Sequence, residues 1–372
     1  MTDDQRAAMR LIDHIVDDPG LSLSYADVSV LERVRDRTPA AARILAVHYG
    51  RIGAVEQAHA CLVDLFASEP DSESARNLAV SLIQLRRSGE AIRFVREHVA
   101  LIDPIARQDL LCWAHYRAGD YENAVAEGDK ALELKDASVD AAPALDPVIC
   151  PLYPANAGCR VISFSLFGDA DRYLDGAYRN AVVAQTLYPG WQVRFYADHS
   201  VPDCALAALE REKAELCFPG EAWPAARYGL FWRFLVEDDP EVGLYIVRDA
   251  DSVMTAKERA AVADWLSSGH AFHLMRDLPC HCELVLAGLW GAHRGNIQDM
   301  AGRIRRFVAA EADSLNPSHI DQIFTRRVLW PIMRQDLCAH DSWFSFGNPR
   351  RFPGGADLPP GQHIGRNDFA GR

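Results

Sequence analysis

No run of the chain is apolar for long enough to cross a bilayer, since a spanning helix needs about 20 such residues. A membrane span is therefore not expected. Basic residues are in the minority, with 39 Lys and Arg against 52 Asp and Glu, and the formal net charge is -13 at pH 7. A chain this acidic is not drawn to nucleic-acid phosphate or anionic lipid, except through local basic patches. The nine cysteines are odd in number and scattered. That suits reduced thiols in a cytoplasm better than a disulfide framework. Cys280-His281-Cys282 looks like a metal cluster, but no matching pair follows at zinc spacing and neighbouring ligands fit a tetrahedron poorly. The opening Met1-Thr2-Asp3-Asp4 is acidic and lacks an apolar stretch, so no signal peptide is expected. Disorder is not expected either: 49% of residues are hydrophobic and 24% charged, enough for a folded core. The 372 residues suffice for two or three domains.

The first third reads as helices in pairs. Segments around Ala46–Pro70, Leu78–Val99 and Cys112–Ala131 each have the form helix, glycine turn, helix. The turn glycines Gly53, Gly89 and Gly119 lie 36 and then 30 residues apart, close to the tetratricopeptide period of about 34. The expectation is an all-α, tetratricopeptide-like domain over residues 1–136. Its concave face would hold a protein partner or acceptor, or drive dimerisation; an ordinary helical bundle is the plainer alternative. Residues 137–158 change character: Pro143, Pro147, Pro151 and Pro154 interrupt an Ala/Asp-rich stretch without period. This is the expected linker. From Cys159 the pattern alternates strand and helix to residue 372. That predicts an α/β, Rossmann-like domain with a mostly parallel sheet.

The most informative stretch is Leu244-Tyr-Ile-Val-Arg-Asp-Ala-Asp-Ser252. An apolar, β-branched run predicts a buried strand, and Asp249 and Asp251 leave its end two residues apart. Residues at that spacing point the same way. Two carboxylates so close repel unless a cation sits between them. A hard divalent cation does this and also binds diphosphate oxygens. Ligands of open α/β sheets sit at such carboxyl ends, so the pair points to an enzyme that handles a nucleotide diphosphate.

Several stretches occur in one order along the second domain: Val161-Ile-Ser-Phe-Ser-Leu-Phe-Gly168, Tyr188-Pro-Gly-Trp191, Trp232-Arg-Phe234, Arg248-Asp-Ala-Asp-Ser252, Met275-Arg-Asp277, Gly288-Leu-Trp-Gly291, Asp321-Gln322 and His340-Asp-Ser342. In this order they resemble the GT-A type of nucleotide-sugar glycosyltransferases, in a subgroup found beside tetratricopeptide repeats. The resemblance implies that Asp249 and Asp251 are a DxD pair holding Mn²⁺ or Mg²⁺ against the donor diphosphate. It implies His340 as a third metal ligand, with His363 as a rival. Phe164, Ser165, Leu166 and Phe167 would cradle the base and ribose, or be buried strand. Arg233 and Arg248 would join the donor site, Arg233 at phosphate or sugar, or else pair with a structural carboxylate. Gly288 would allow close backbone approach, and Trp290 would offer a stacking face or be core. Asp277 and Asp321 are the candidate general bases, Asp277 alternatively a contact to donor hydroxyls. The donor is by default a UDP-sugar and the acceptor a glycan, lipid-linked sugar or protein. The text Leu278-Pro-Cys-His-Cys-Glu283 departs from the family, which often carries a second His or a Pro-His pair there, and puts the local acceptor chemistry in doubt.

Two rival readings are open. The apolar strand followed by Asp-x-Asp-x-Val also fits a haloacid-dehalogenase phosphatase, with Asp249 as nucleophile and Asp251 as general acid. That fold wants its motif near the domain start and a later Gly-Asp-x-x-x-Asp, which does not follow here. The other rival is a helical binding scaffold carrying an inactive transferase domain.

Overall fold

The computed structural model describes residues 3–17, 23–140, 158–311, 319–359 and 361–366. The chain forms two compact units, Met1–Ala131 and Leu132–Arg372.

The first unit is helical. It contains α1 (Asp3–Asp17), α2 (Tyr25–Glu32), α3 (Pro39–Arg51), α4 (Val55–Ser68), α5 (Ser72–Gln84), α6 (Ser88–Glu97), α7 (Pro104–Arg117) and the start of α8 (Tyr121–Asp140). The pairs α3/α4, α5/α6 and α7/α8 follow the expected helix–turn–helix form. Small residues let them approach: Ala75, Ala79, Ala91 and Ala114 are wholly buried in one core with Leu82, Ile83 and Val95. The middle turn differs from expectation. Gly89 lies within the first turn of α6, and the left-handed residue is Arg86, at φ 60°. Gly53 and Gly119 adopt the same conformation at φ 73° and 78°. The left-handed residues thus fall at 53, 86 and 119, two even steps of 33. The repeat is regular in backbone and irregular only in residue type.

The expected linker lies for the most part outside the described residues, including its four prolines; its first residues, 137–140, continue α8. The second unit begins inside that helix. Lys135 is buried there, and its Nζ donates to Cys282 O at 2.6 Å and pairs with Glu283 at 3.4 Å.

The rest of the second unit runs β1 (Cys159–Leu166), α9 (Asp171–Leu187), β2 (Gln192–Ala197), α10 (Asp203–Arg211), β3 (Glu215–Cys217) and α11 (Ala225–Tyr228). A 3-10 run over Gly229–Asp238 leads into β4 (Val242–Arg248). Then come α12 (Ala256–Ser268), β5 (Phe272–Arg276), β6 (Leu289–His293), α13 (Met300–Glu311), α14 (Ile320–Phe324), α15 (Trp330–Met333) and β7 (Leu337–Asp341). The sheet order is β3-β2-β1-β4-β6-β5-β7. β1 pairs parallel with both β2 and β4, while β6 is antiparallel to β4 and β5. This is a mostly parallel, mixed α/β sheet. Every residue of β4 is buried, as a strand at the centre of a covered sheet must be.

The chain leaves β1 toward β2 on one side and later returns to β4 on the other. The topological switch point, where open α/β sheets bind ligands, is therefore the gap between the carboxyl ends of β1 and β4.

Candidate functional site

β1 builds one wall through strand alternation. Ile162, Phe164 and Leu166 enter the core beside α9, where Phe164 stacks on Phe195 at 4.8 Å between ring centres. Ser163 and Ser165 face the other way and clamp the 3-10 run. Ser163 Oγ donates to Arg233 O at 2.7 Å, and Arg233 N donates to Ser165 Oγ at 3.0 Å. These hydroxyls satisfy buried backbone groups that no sheet ladder reaches. They fix Arg233 at the end of β4. Phe167 lies edge-on to Trp232 at 5.8 Å, and any side chain at Gly229 would strike its ring.

The Arg233 guanidinium forks. One nitrogen meets Asp249 Oδ1 at 2.7 Å and another meets Asp321 Oδ2 at 2.7 Å. The Arg233 side chain is 5% exposed and that of Asp249 45%, so the fork is buried behind Asp249, which faces solvent. Opposite, Gly288 approaches so closely that a Cβ there would collide with the Asp249 carboxylate. Asp251 is half-buried; burial pushes its carboxyl up, and the Asp249 charge adds to this while Arg172 opposes it. Burial also pushes Asp321 up, against the pull of Arg233.

The C-terminal segment closes over the next strand end. Asp277 follows β5 and is buried. Its Oδ1 accepts from Lys257 Nζ at 2.5 Å and from the Ser342 hydroxyl, and its Oδ2 accepts from Ile364 N at 2.9 Å. His363 beside it donates Nδ1–H to Ile364 O at 2.9 Å. The His363 ring meets His281 edge-on, 5.3 Å between centres. Burial pushes His281 down to about 4, assisted by His363 and opposed by Asp277 and Asp249. Its Nδ1 is buried without a hydrogen-bond partner.

Asp249, Asp251, Arg233, Asp321, Gly288 and Phe167 thus gather at or beside the switch point, with Asp277, His281 and His363 alongside. Other expected site residues do not join them. Phe164 and Leu166 are buried in the core with α9 and β2 residues; Ser165 Oγ is taken up by Arg233 N. Arg248 is 1% exposed and holds Gly288 O at 2.9 Å, Ser252 Oγ at 3.2 Å and Glu258 at 3.0 Å, so it braces the fold rather than touching a donor. Trp290 is likewise 1% exposed, packed edge-on to Tyr245 in the sheet core, and offers no stacking face. Asp277 is paired with Lys257 at 2.5 Å and Asp321 with Arg233 at 2.7 Å.

His340 is also displaced from its expected role. β7 stands three strand spacings from β4, about 14 Å at ~4.8 Å each. His340 Nδ1 bonds His273 Nε2 at 2.9 Å and its Nε2 bonds Asp264 at 3.1 Å. Asp264, Cys338 and His340 do bring possible metal-ligand atoms within 4.8 Å of one another. There Arg350 already neutralises Asp264 at 2.7 Å, and both His340 nitrogens are engaged. Of the two rival histidines, His363 is the one beside His281 and Asp277. His281, Lys257 and Asn180 carry no motif that marks them in the sequence, where Cys280-His281-Cys282 stands out only as a poor zinc cluster and as a departure from the family pattern.

No protein-family model and no curated protein matches the chain. Among solved structures it is similar to a mutant O-GlcNAc transferase of Thermobaculum terrenum: 16% identity, TM-score 0.42, covering 67% of this chain and 47% of that one. The chain therefore spans about half of that transferase's length. It is also similar to MamA MSR-1, at 24% identity and TM-score 0.28, covering 30% of this chain and 68% of that one. MamA AMB-1 matches at 22% identity and TM-score 0.30, covering 37% and 74%. At these scores the likenesses assign neither fold nor activity to this chain. Among the described residues, no helix is long and apolar enough to cross a membrane.

Proposed function

We propose that the second unit is a metal-dependent glycosyltransferase of the GT-A type, moving a sugar from a nucleotide diphosphate to an acceptor hydroxyl. The observation that carries this reading is the carboxylate pair Asp249/Asp251 at the switch point, backed by a buried arginine. A site for binding a diphosphate needs charge of both signs, one to hold a cation and one to meet oxygen anions.

The residues fit Mn²⁺ or Mg²⁺. Both side chains of the pair offer carboxylate oxygens, which hard divalent cations prefer. Asp251 is pushed up partly by Asp249, a repulsion that a cation between them relieves. Asp249 and Asp251 would hold the ion, with His363 the better-situated third ligand. When bound, the ion neutralises charge on the departing nucleotide diphosphate. Arg233 orients Asp249 and directs its own positive field at the same edge, while Asp321 keeps Arg233 in line. Phe167 borders the mouth of β1, where the base and ribose would lie. The donor is read as a UDP-sugar; the acceptor as a glycan, lipid-linked sugar or protein, with the helical repeats as a docking surface for a protein partner.

The test is the thermal midpoint of the purified chain with UDP, GDP, ADP and CDP, each with and without Mn²⁺. A ligand bound only by the native state adds roughly 2.7 kcal/mol at a hundredfold excess over its Kd. One nucleotide should raise the midpoint in a Mn²⁺-dependent way, and Asp251→Asn should abolish the rise without unfolding the chain. No rise with any of the four overturns the reading.

A further inference from the structure

We infer that α9 sets the geometry of the Asp249–Asp251 turn through Gly176 and Asn180, and that Asn180 is a positioning residue for the cation. The inference rests on the metal reading of that turn. Asn180 is wholly buried. Its Nδ2 donates to Ala250 O at 3.2 Å and to Ser252 O at 3.1 Å, and its Oδ1 accepts from Met254 N at 3.0 Å. The amide orientation follows from this set, because two carbonyls require the donor end and an N–H requires the acceptor. The bonds straddle Asp251, gripping the backbone at the residues on either side of it.

Gly176 stands one helical turn before Asn180, on the same face of α9. A Cβ at Gly176 would collide with Ala250 O and come 2.9 Å from Asp251 Cα. The glycine lets the helix come into contact with the turn, and the asparagine latches it there. The arrangement has a physical reason. The turn has left the β4 ladder, so its buried carbonyls need donors from elsewhere. Its two carboxylates also push each other apart, and a neutral side chain can restrain them without adding charge.

The experiment measures Mn²⁺ binding calorimetrically in the full chain and in Asn180→Asp, Gly176→Ala and Asp251→Asn. Asn180→Asp is nearly isosteric but deletes both donated bonds. It should weaken Mn²⁺ about tenfold or more, as loss of a residue that orients a metal ligand does. Gly176→Ala should act the same way, and Asp251→Asn should abolish binding. Equal Mn²⁺ affinity in wild type and Asn180→Asp overturns the inference alone. No Mn²⁺ binding by the wild type overturns the metal reading and takes the inference with it. Should the α9 variants fail to fold, amide exchange in the wild type decides: the Met254 amide should exchange as slowly as those of β4, and fast exchange refutes the latch.

Discussion

His281 sits where burial, a second imidazole and two carboxylates act on one ring. Its ordinary value of 6.5 falls to about 4 in the fold. Between these pH values the unfolded chain takes up a proton that the folded chain refuses. The stability His281 contributes is therefore fully present above 6.5 and is lost as pH falls toward about 4. His281→Asn should flatten the fall of the melting midpoint over that window; melts of both proteins at the two ends of it, showing equal slopes, would refute the assignment. This ring was visible in the sequence only as part of Cys280-His281-Cys282, where its depth could not be seen. Asp277 and Asp321 show the same limit. Both read as candidate general bases, and nothing local announces that Lys257 and Arg233 hold them. Those partners lie 20 and 88 residues away in sequence, so folding alone assigns the pairs. Asp249 and Asp251 were legible because their signal is local: an apolar strand and a two-residue spacing.

β1 illustrates what an element inherits from its own sequence. In Ile162-Ser-Phe-Ser-Leu166, apolar and hydroxyl side chains alternate, and the structure turns the two sets to opposite faces. The alternation marks a strand with one greasy and one polar face, although it does not reveal that the polar face grips Arg233. The helical repeat offers a sharper case. Arg86 occupies the left-handed position that glycine fills at 53 and 119. An L-residue there costs about 1–2 kcal/mol, while glycine adopts it freely. Arg86→Gly should therefore stabilise the first unit by about 0.5–1 kcal/mol after the entropic cost of glycine is set against the relief. Urea unfolding measures this, and a lower midpoint would count against the strained-turn account. Reading glycines alone gave uneven spacings of 36 and 30; reading conformation restores the 33-residue step.

For the whole molecule, the useful boundary is the one inside α8. Lys135 and Asp136 belong to the second unit. Asp136 accepts from Trp330 Nε1 at 2.6 Å and from Arg334 at 2.8 Å, while Lys135 supports Glu283, which also pairs with Arg326 at 2.6 Å. A chain starting at residue 132 keeps these contacts and one starting at 137 loses them. The shorter chain should be less stable by about 1–3 kcal/mol, the range for buried polar groups stripped of partners. Denaturant melts of the two truncations test this; matching midpoints would show that the end of α8 is dispensable. If the donor site is contained in the second unit, the longer truncation retains the nucleotide shift of the full chain.

The sequence by itself determined the two-part organisation, helical repeat followed by α/β sheet, because hydrophobic periodicity is a local property of each segment. It also determined the acidic pair and the strand that ends in it. Only the tertiary structure decided which groups surround that pair. Strand order carried His340 to the far side of the sheet, put Arg248 and Trp290 in the core, and brought Arg233, Gly288 and Asn180 to the turn. Long-range pairing sets those neighbours, and no window of sequence records which strand lies beside which.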